Sequence, residues 1–195
     1  MSNRKNQSDI GRPQKTQVTE DILTTTLNGL AERGFEATTI AHVAAKAQTS
    51  KQAIYRRWPD KTAMVAAAIR SALEQASPSP PQRSNVAHDL KICLTNTVRA
   101  YQETPLGDAL RALVPMQDHP ELKGILNEAE DARRLVLRQI FIATPFEADM
   151  ETRIDLLLGL IYFKLQIRGQ QISEADIETA IHLVLGLTAP RMPPT

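Results

Sequence analysis

The run Ser50-Lys51-Gln52-Ala53-Ile54-Tyr55-Arg56-Arg57 mixes cations, an amide, a phenol and two small packing residues. Wound as a helix, it can turn Ala53 and Ile54 inward against Val43 and Ala47. Thr49, Lys51, Gln52, Tyr55 and Arg56 are then left to a partner. Glutamine can read adenine through two hydrogen bonds and Lys or Arg can read guanine. A tyrosine ring can touch a thymine methyl, or its hydroxyl a phosphate. A solvated polar helix face has the same composition. Lys61 bears on the choice, because a cation in the first turn of a helix opposes the macrodipole and is expected to serve an outside anion such as a DNA phosphate. Helix starts at Thr39 and Lys61 would also offer unpaired N–H groups to anions, fixing register without reading sequence. Upstream, Arg4-Lys5, Gly11-Arg12-Pro13 and Lys15 make a basic arm. An arginine beside a proline can lie along a minor groove, and a loose solubilising tail fits equally.

These side chains need elements to hold them. Apolar residues recur with helical spacing and alternating strand patterns are absent, so the expected class is all-α, with about nine helices. The first is expected from an N-cap at Thr19 to Arg33, with Leu23, Leu27 and Leu30 as its buried stripe; Gly34 ends it and Phe35 folds back. Thr38 or Thr39 caps a second, short helix with Ile40, Val43, Ala44 and Ala47 on one face. After a tight turn at 48–50, Ser50 caps the third, which closes at or before Trp58 because Pro59 disfavours helix in the residue ahead of it. Asp60 caps a long Ala-rich helix to Ala76, the expected mechanical link between head and body. Past the Ser77–Pro81 break, helices are expected near 84–103, 106–116, 120–142, 148–168 and 173–188. The expected organisation is a flexible basic arm (1–17), a three-helix DNA-binding head of helix-turn-helix type (18–60), and a helical-bundle regulatory and dimerisation body (61–195).

Within the body, 151–168 is apolar around most of its circumference. Ile154, Leu157, Leu158, Ile161 and Leu165 form one flank, and Leu156, Leu160, Phe163 and Ile167 another. Such a helix must be covered on two sides. With Ile177, Ile181 and Val184 of the last helix, the first flank is expected to build a four-helix bundle with a second copy, Gly159 and Gly186 permitting close approach.

Composition narrows the alternatives. The chain has 195 residues, 42% of them hydrophobic, enough to bury a core. Its one cysteine, Cys93, allows no intrachain disulfide and suits a reducing compartment, so the expected location is cytoplasmic. Neither a signal-peptide pattern nor a membrane-length apolar run is present, and no membrane partner is expected. Net charge is +1, yet 1–61 hold ten Lys/Arg against six Asp/Glu, and the remainder thirteen against sixteen. The head is therefore basic and the body mildly acidic. An enzyme finds little support: His42, His88, His119 and His182 are scattered without metal-ligand spacing, there is no phosphate-cradling glycine loop, and Cys93 sits among Leu90, Ile92 and Leu94 as a packing residue. No cofactor, metal or catalytic residue is expected. A DNA-binding protein controlled by a protein partner, or sensing no ligand, is the remaining alternative.

The span TIAHVAAKAQTSKQAIYRRWPDK, from Thr39 to Lys61, closely resembles the helix-turn-helix signature of the TetR family of regulators, especially members with a Tyr-Arg-Arg-Trp-Pro ending. Ala47, Ser50, Ile54, Tyr55, Trp58 and Lys61 carry the match, which with helix 1 and Gly34-Phe35 covers roughly 19–75. A weaker likeness runs from Gly159 through Gly169 to the last helix. The family's usual turn glycine is Gln48 here, which would be strained at positive φ. The resemblance implies a homodimer on a roughly palindromic double-stranded operator, a repressor released when a small molecule enters the body. It implies Thr39 and Lys61 on phosphates, Tyr55 on backbone or methyl, Lys51, Gln52 and Arg56 at base edges, Thr49 and Ser50 in either set, and Trp58 as a packing anchor. Tyr101, Met116, Phe141, Phe146, Tyr162 and Phe163 are the candidate lining of the implied pocket, and ordinary core is the other reading of each.

Overall fold

The computed structural model describes residues 11–76, 81 and 85–186, with the side chains of 11–15 outside that description. Arg4, Lys5, the side chains of Arg12 and Lys15, residues 77–80 and Leu187 thus lie outside the described residues. Nine α-helices follow one another in the described part, with no strand among them: α1 (Gly11–Ala37), α2 (Ile40–Lys46), α3 (Lys51–Tyr55), α4 (Lys61–Gln75), α5 (Val86–Gln102), α6 (Leu106–Ala112), α7 (Pro120–Phe141), α8 (Met150–Tyr162) and α9 (Glu174–Val184). A 3-10 turn, Val114–Met116, follows α6, and a π turn, Phe163–Ile167, extends α8.

The first helix starts earlier than its sequence signals. Thr19 is inside α1 rather than its cap, and 11–17, the described part of the basic arm, belong to the same helix. Pro13 does not prevent this, since first-turn N–H groups have no intrahelical acceptor to lose. Gly34 does interrupt the helix, at φ +77. The buried line of α1 is Ile22, Thr26 and Leu30, while Leu23 and Leu27 are only half-buried. Thr26 can be buried because its hydroxyl donates to the Ile22 carbonyl at 2.7 Å.

Two apolar cores result. The head core joins Ile22, Ile40, Val43, Ala44, Ile54 and Met64, with Val18, Ala47 and Trp58 against it. The body core runs from Leu30 and α4 through α5 to α9. Helix α4 belongs to both, for Met64 in its first turn seals the head whereas Val65, Ile69 and Leu73 pack into the body. At 15 residues it is a rigid rod of about 22 Å. Helix α1 also packs on α4 and α6, so the head is mounted on the body through two helices. No described helix is long and apolar enough to cross a membrane.

Candidate nucleic-acid interface and body cavity

Capping explains why two such short helices form where they do. Thr39 Oγ1 accepts from the His42 N–H at 3.2 Å, Ser50 Oγ from Ala53 N–H at 3.1 Å, and Asp60 Oδ1 from Ala63 N–H at 2.9 Å. Between α2 and α3 the chain turns through Gln48 at φ +50, a left-handed conformation held by a residue with a Cβ. Ile54, wholly buried, anchors α3 to the head. The opposite face is open: Lys51, Gln52, Tyr55 and Arg56 are exposed together, with Ser50 beside them and Thr49 half-buried. Thr39 is exposed at the start of α2, on the same α2–α3 unit. Arg57 does not join them, since its Nε donates to Thr19 Oγ1 at 2.9 Å and its Nη1 to the Ala53 carbonyl at 2.7 Å. It clamps the end of α3 to α1. Trp58 packs, half-buried, on the head core, as an anchor should.

Lys61, in the first turn of α4, has an internal partner. Its ammonium donates to the Phe35 carbonyl at 3.0 Å, lies 3.9 Å from the Phe35 ring centroid and 3.7 Å from Glu36. Unfavourable at the N-terminus of α4, the cation is favourable at the C-terminal end of α1, where carbonyls are left over.

The bundle flank is corrected. Ile154, Leu157, Leu158, Ile161, Ile177, Ile181 and Val184 are buried in the chain's own core, so these seven are not available to a second copy, while Leu165 is half-buried against that core. The flank left uncovered is the other one. Leu156, Phe163 and Ile167 are exposed, Leu160 is half-buried between them, and α9 adds the exposed Leu183, which sequence reasoning missed. The physical reason is that α5 already covers α9, while α7 and α9 pack on α8 from within the chain. Gly159 is exposed on the same helix and leaves the backbone approachable.

A cavity of about 430 Å³ opens between the last turn of α4, the 3-10 turn after α6, α7 and the π turn. Tyr101 and Tyr162 are among the residues that line it. Phe141 is instead fully buried core, Met116 packs at the core's edge, Phe146 lies half-buried beneath Arg153, and Phe163 points outward. None of these four borders the cavity, because helical spacing marks an apolar face without saying which part of it meets a void.

The polar heart of the cavity was not foreseen. Arg133 is 7% exposed. Its Nη1 donates to Tyr162 Oη at 2.7 Å and to Glu130 Oε2 at 3.1 Å, and the Tyr162 hydroxyl donates to the same Glu130 oxygen. The guanidinium also stands 5.5 Å from the Tyr101 ring centroid. Burial pushes both phenols above the usual tyrosine range, so they remain neutral. A legible signal existed: on α7, Arg133 falls on the line of Leu122, Ile125, Leu137 and Ile140, a core position held by a cation.

Comparison with known proteins follows the same division of the chain. Residues 22–68 match the family model described as bacterial regulatory proteins, tetR family, and residues 80–184 match that of the tetracyclin repressor-like C-terminal domain. The HTH-type transcriptional regulator YdeS of Bacillus subtilis (strain 168) is 27% identical over 179 residues, covering 86% of this chain and 88% of YdeS. The regulator FadR of Bacillus subtilis, solved in complex with stearoyl-CoA, shares the fold with a TM-score of 0.71 at 14% identity, over 85% of this chain and 96% of that one. The flavonoid-responsive regulator FrrA superposes with a TM-score of 0.65 at 19% identity, over 88% and 94%. With both of its halves matched and a helix-turn-helix head on a helical body, this chain belongs to the TetR family of HTH-type, DNA-binding transcriptional regulators.

Proposed function

We propose that the chain works as a homodimeric repressor that holds a roughly palindromic operator and releases it when a small molecule occupies the body cavity. One observation carries the DNA half: Lys51, Gln52, Tyr55 and Arg56 share an open face on a helix whose only wholly buried side chain is Ile54. In the major groove, Lys51, Gln52 and Arg56 would meet base edges, while Thr39, Thr49, Ser50 and Tyr55 would meet phosphates or methyl groups. Lys61, held at Phe35, would support that surface from behind and reach a phosphate only from there. Arg12 belongs to the same proposal as a minor-groove contact. The head would span 18–60 and the body 61–195, with α4 common to both cores.

A single head reads few base pairs, so two heads on successive major grooves, about 34–36 Å apart, are what give selectivity. The exposed Leu156, Phe163, Ile167 and Leu183 support pairing of two copies through α8 and α9. Leu73, in the last turn of α4, borders the cavity, so a bound molecule presses on the rod whose first turn supports the head. An effector that fits best when the heads are wrongly spaced shifts the population away from DNA. The place of action that follows is the cytoplasm, where bacterial DNA lies.

Selection of bound genomic fragments by the full-length protein, followed by sequencing, is the test. Two inverted half-sites shared by the recovered fragments are expected. Fragments with no common element, held only at low salt, would instead indicate sequence-independent binding.

A further inference from the structure

This inference rests on the DNA half of the proposed function. Helix α2 ends in a turn that demands a left-handed residue. Ala47 closes the helix, Gln48 follows at φ +50, and the Thr49 N–H then donates to the Ala44 carbonyl at 2.9 Å. That reach-back is the pattern of a helix end whose left-handed position is ordinarily glycine and sometimes asparagine. Glutamine fits neither case, since its Cβ crowds the backbone there and its amide stands too far out to bond its own main chain as a short side chain does.

Nothing inside the chain offsets that strain. The Gln48 side chain is exposed, and no hydrogen bond joins it to another described residue. Of the two non-glycine residues at positive φ among those described, Ala143 brings only a methyl, whereas Gln48 brings an amide. A strained polar residue with no internal reason points to an external one. Its surroundings say of which kind. Exposed Lys46 precedes it and exposed Lys51 follows, and neither pairs with a carboxylate among the described residues. Positive charge is thus left over on both sides of the turn, as an approaching anion requires. Gln48 also stands ahead of the Ser50 cap, outside the helix that enters the groove, where the duplex presents its backbone rather than its base edges.

We infer that the side-chain amide of Gln48 donates a hydrogen bond to a phosphate of the bound DNA, a contact that fixes the register of α3 without reading sequence. A phosphate oxygen can only accept, and the Nε2 hydrogens supply the donor. The strain is borne with or without DNA, whereas the hydrogen bond is made only on DNA, so the exchange lowers stability and raises affinity.

The test measures binding of the full-length protein and its Gln48 variants to a genomic fragment held by the unmodified protein and to a scrambled duplex of equal length, at several salt concentrations. Thermal midpoints taken alongside show that each variant is folded. Gln48→Ala and Gln48→Gly should each bind the genomic fragment about fivefold more weakly, the magnitude of one hydrogen bond. The preferred sequence and the salt dependence should not change, since a neutral amide on a phosphate reads no base and releases no counterion. Gln48→Glu, of the same shape, should lose more. Gln48→Lys should restore affinity while steepening the logarithmic salt slope by about 0.9. Alanine and glycine variants that bind as tightly as the parent overturn the assignment. A loss in Gln48→Gly without one in Gln48→Ala overturns it too, because turn geometry and not the amide would then be at work. So does a loss confined to the preference at one base pair, which puts the amide on a base edge. If the genomic fragments share no common element, the operator reading falls alone, for the same order of variants is then expected on the scrambled duplex.

Discussion

Lys61, the first residue of α4, donates its ammonium hydrogen to the carbonyl of Phe35 at 3.0 Å and lies 3.9 Å from the centre of that ring. One side chain thus closes the C-terminal end of α1 and ties it to the start of the helix that enters the body. Lys61→Met keeps the stem and removes the charge-assisted bond, which is worth roughly 1–2 kcal/mol after allowance for the partial exposure of the group. Urea denaturation should show that loss. An unchanged midpoint would mean the contact contributes nothing and would return Lys61 to a role on DNA alone.

The turn between α2 and α3 holds strain that can be relieved. Gln48 sits at φ +50, where a side chain costs about 1 kcal/mol or more, and glycine gives back somewhat less than that in unfolded-chain entropy. Gln48→Gly is expected to raise the thermal midpoint slightly, by about 1 °C. A lower midpoint would indicate that the exposed Gln48 side chain makes contacts worth more than the strain.

Two leucines two positions apart on α8 should behave oppositely. Leu156 is 61% exposed and Leu158 is 2% exposed. Leu156→Glu, alone or with Leu183→Glu, should give a folded monomer by analytical ultracentrifugation, with operator affinity reduced tenfold or more. Leu158→Glu should unfold the body instead, since burying an unpaired carboxylate costs about 4 kcal/mol or more. A folded, dimeric Leu156→Glu/Leu183→Glu protein would move the pairing surface elsewhere.

Cys93 is buried on α5, and burial pushes its thiol up to about 11, against a weaker opposing pull from Arg133. Because the thiolate is the reactive form, almost none is present at pH 8 in the folded chain, whereas an unfolded cysteine is about one-quarter ionised there. Labelling by an aromatic disulfide reagent should therefore track unfolding, with rates rising with denaturant. Rapid stoichiometric labelling of the native protein would contradict this and point to an accessible, redox-responsive thiol.

Much was legible in the chain before folding. Helical periodicity, Gly34, the caps at Thr39, Ser50 and Asp60 and the block before Pro59 are local signals, and each acts through backbone groups a few residues away. They set the helix-turn-helix and the open face of Lys51, Gln52, Tyr55 and Arg56, because a short helix anchored by one apolar side chain has only one way to turn its polar residues. What periodicity could not say was which apolar flank of α8 meets its own chain. Both flanks read alike, and only the packing of α5, α7 and α9 decides that Leu158 is inside and Leu156 outside. The cavity, the burial of Arg133 and the capture of Lys61 by Phe35 have the same origin: they join residues far apart in sequence, and such contacts exist only once the helices have docked.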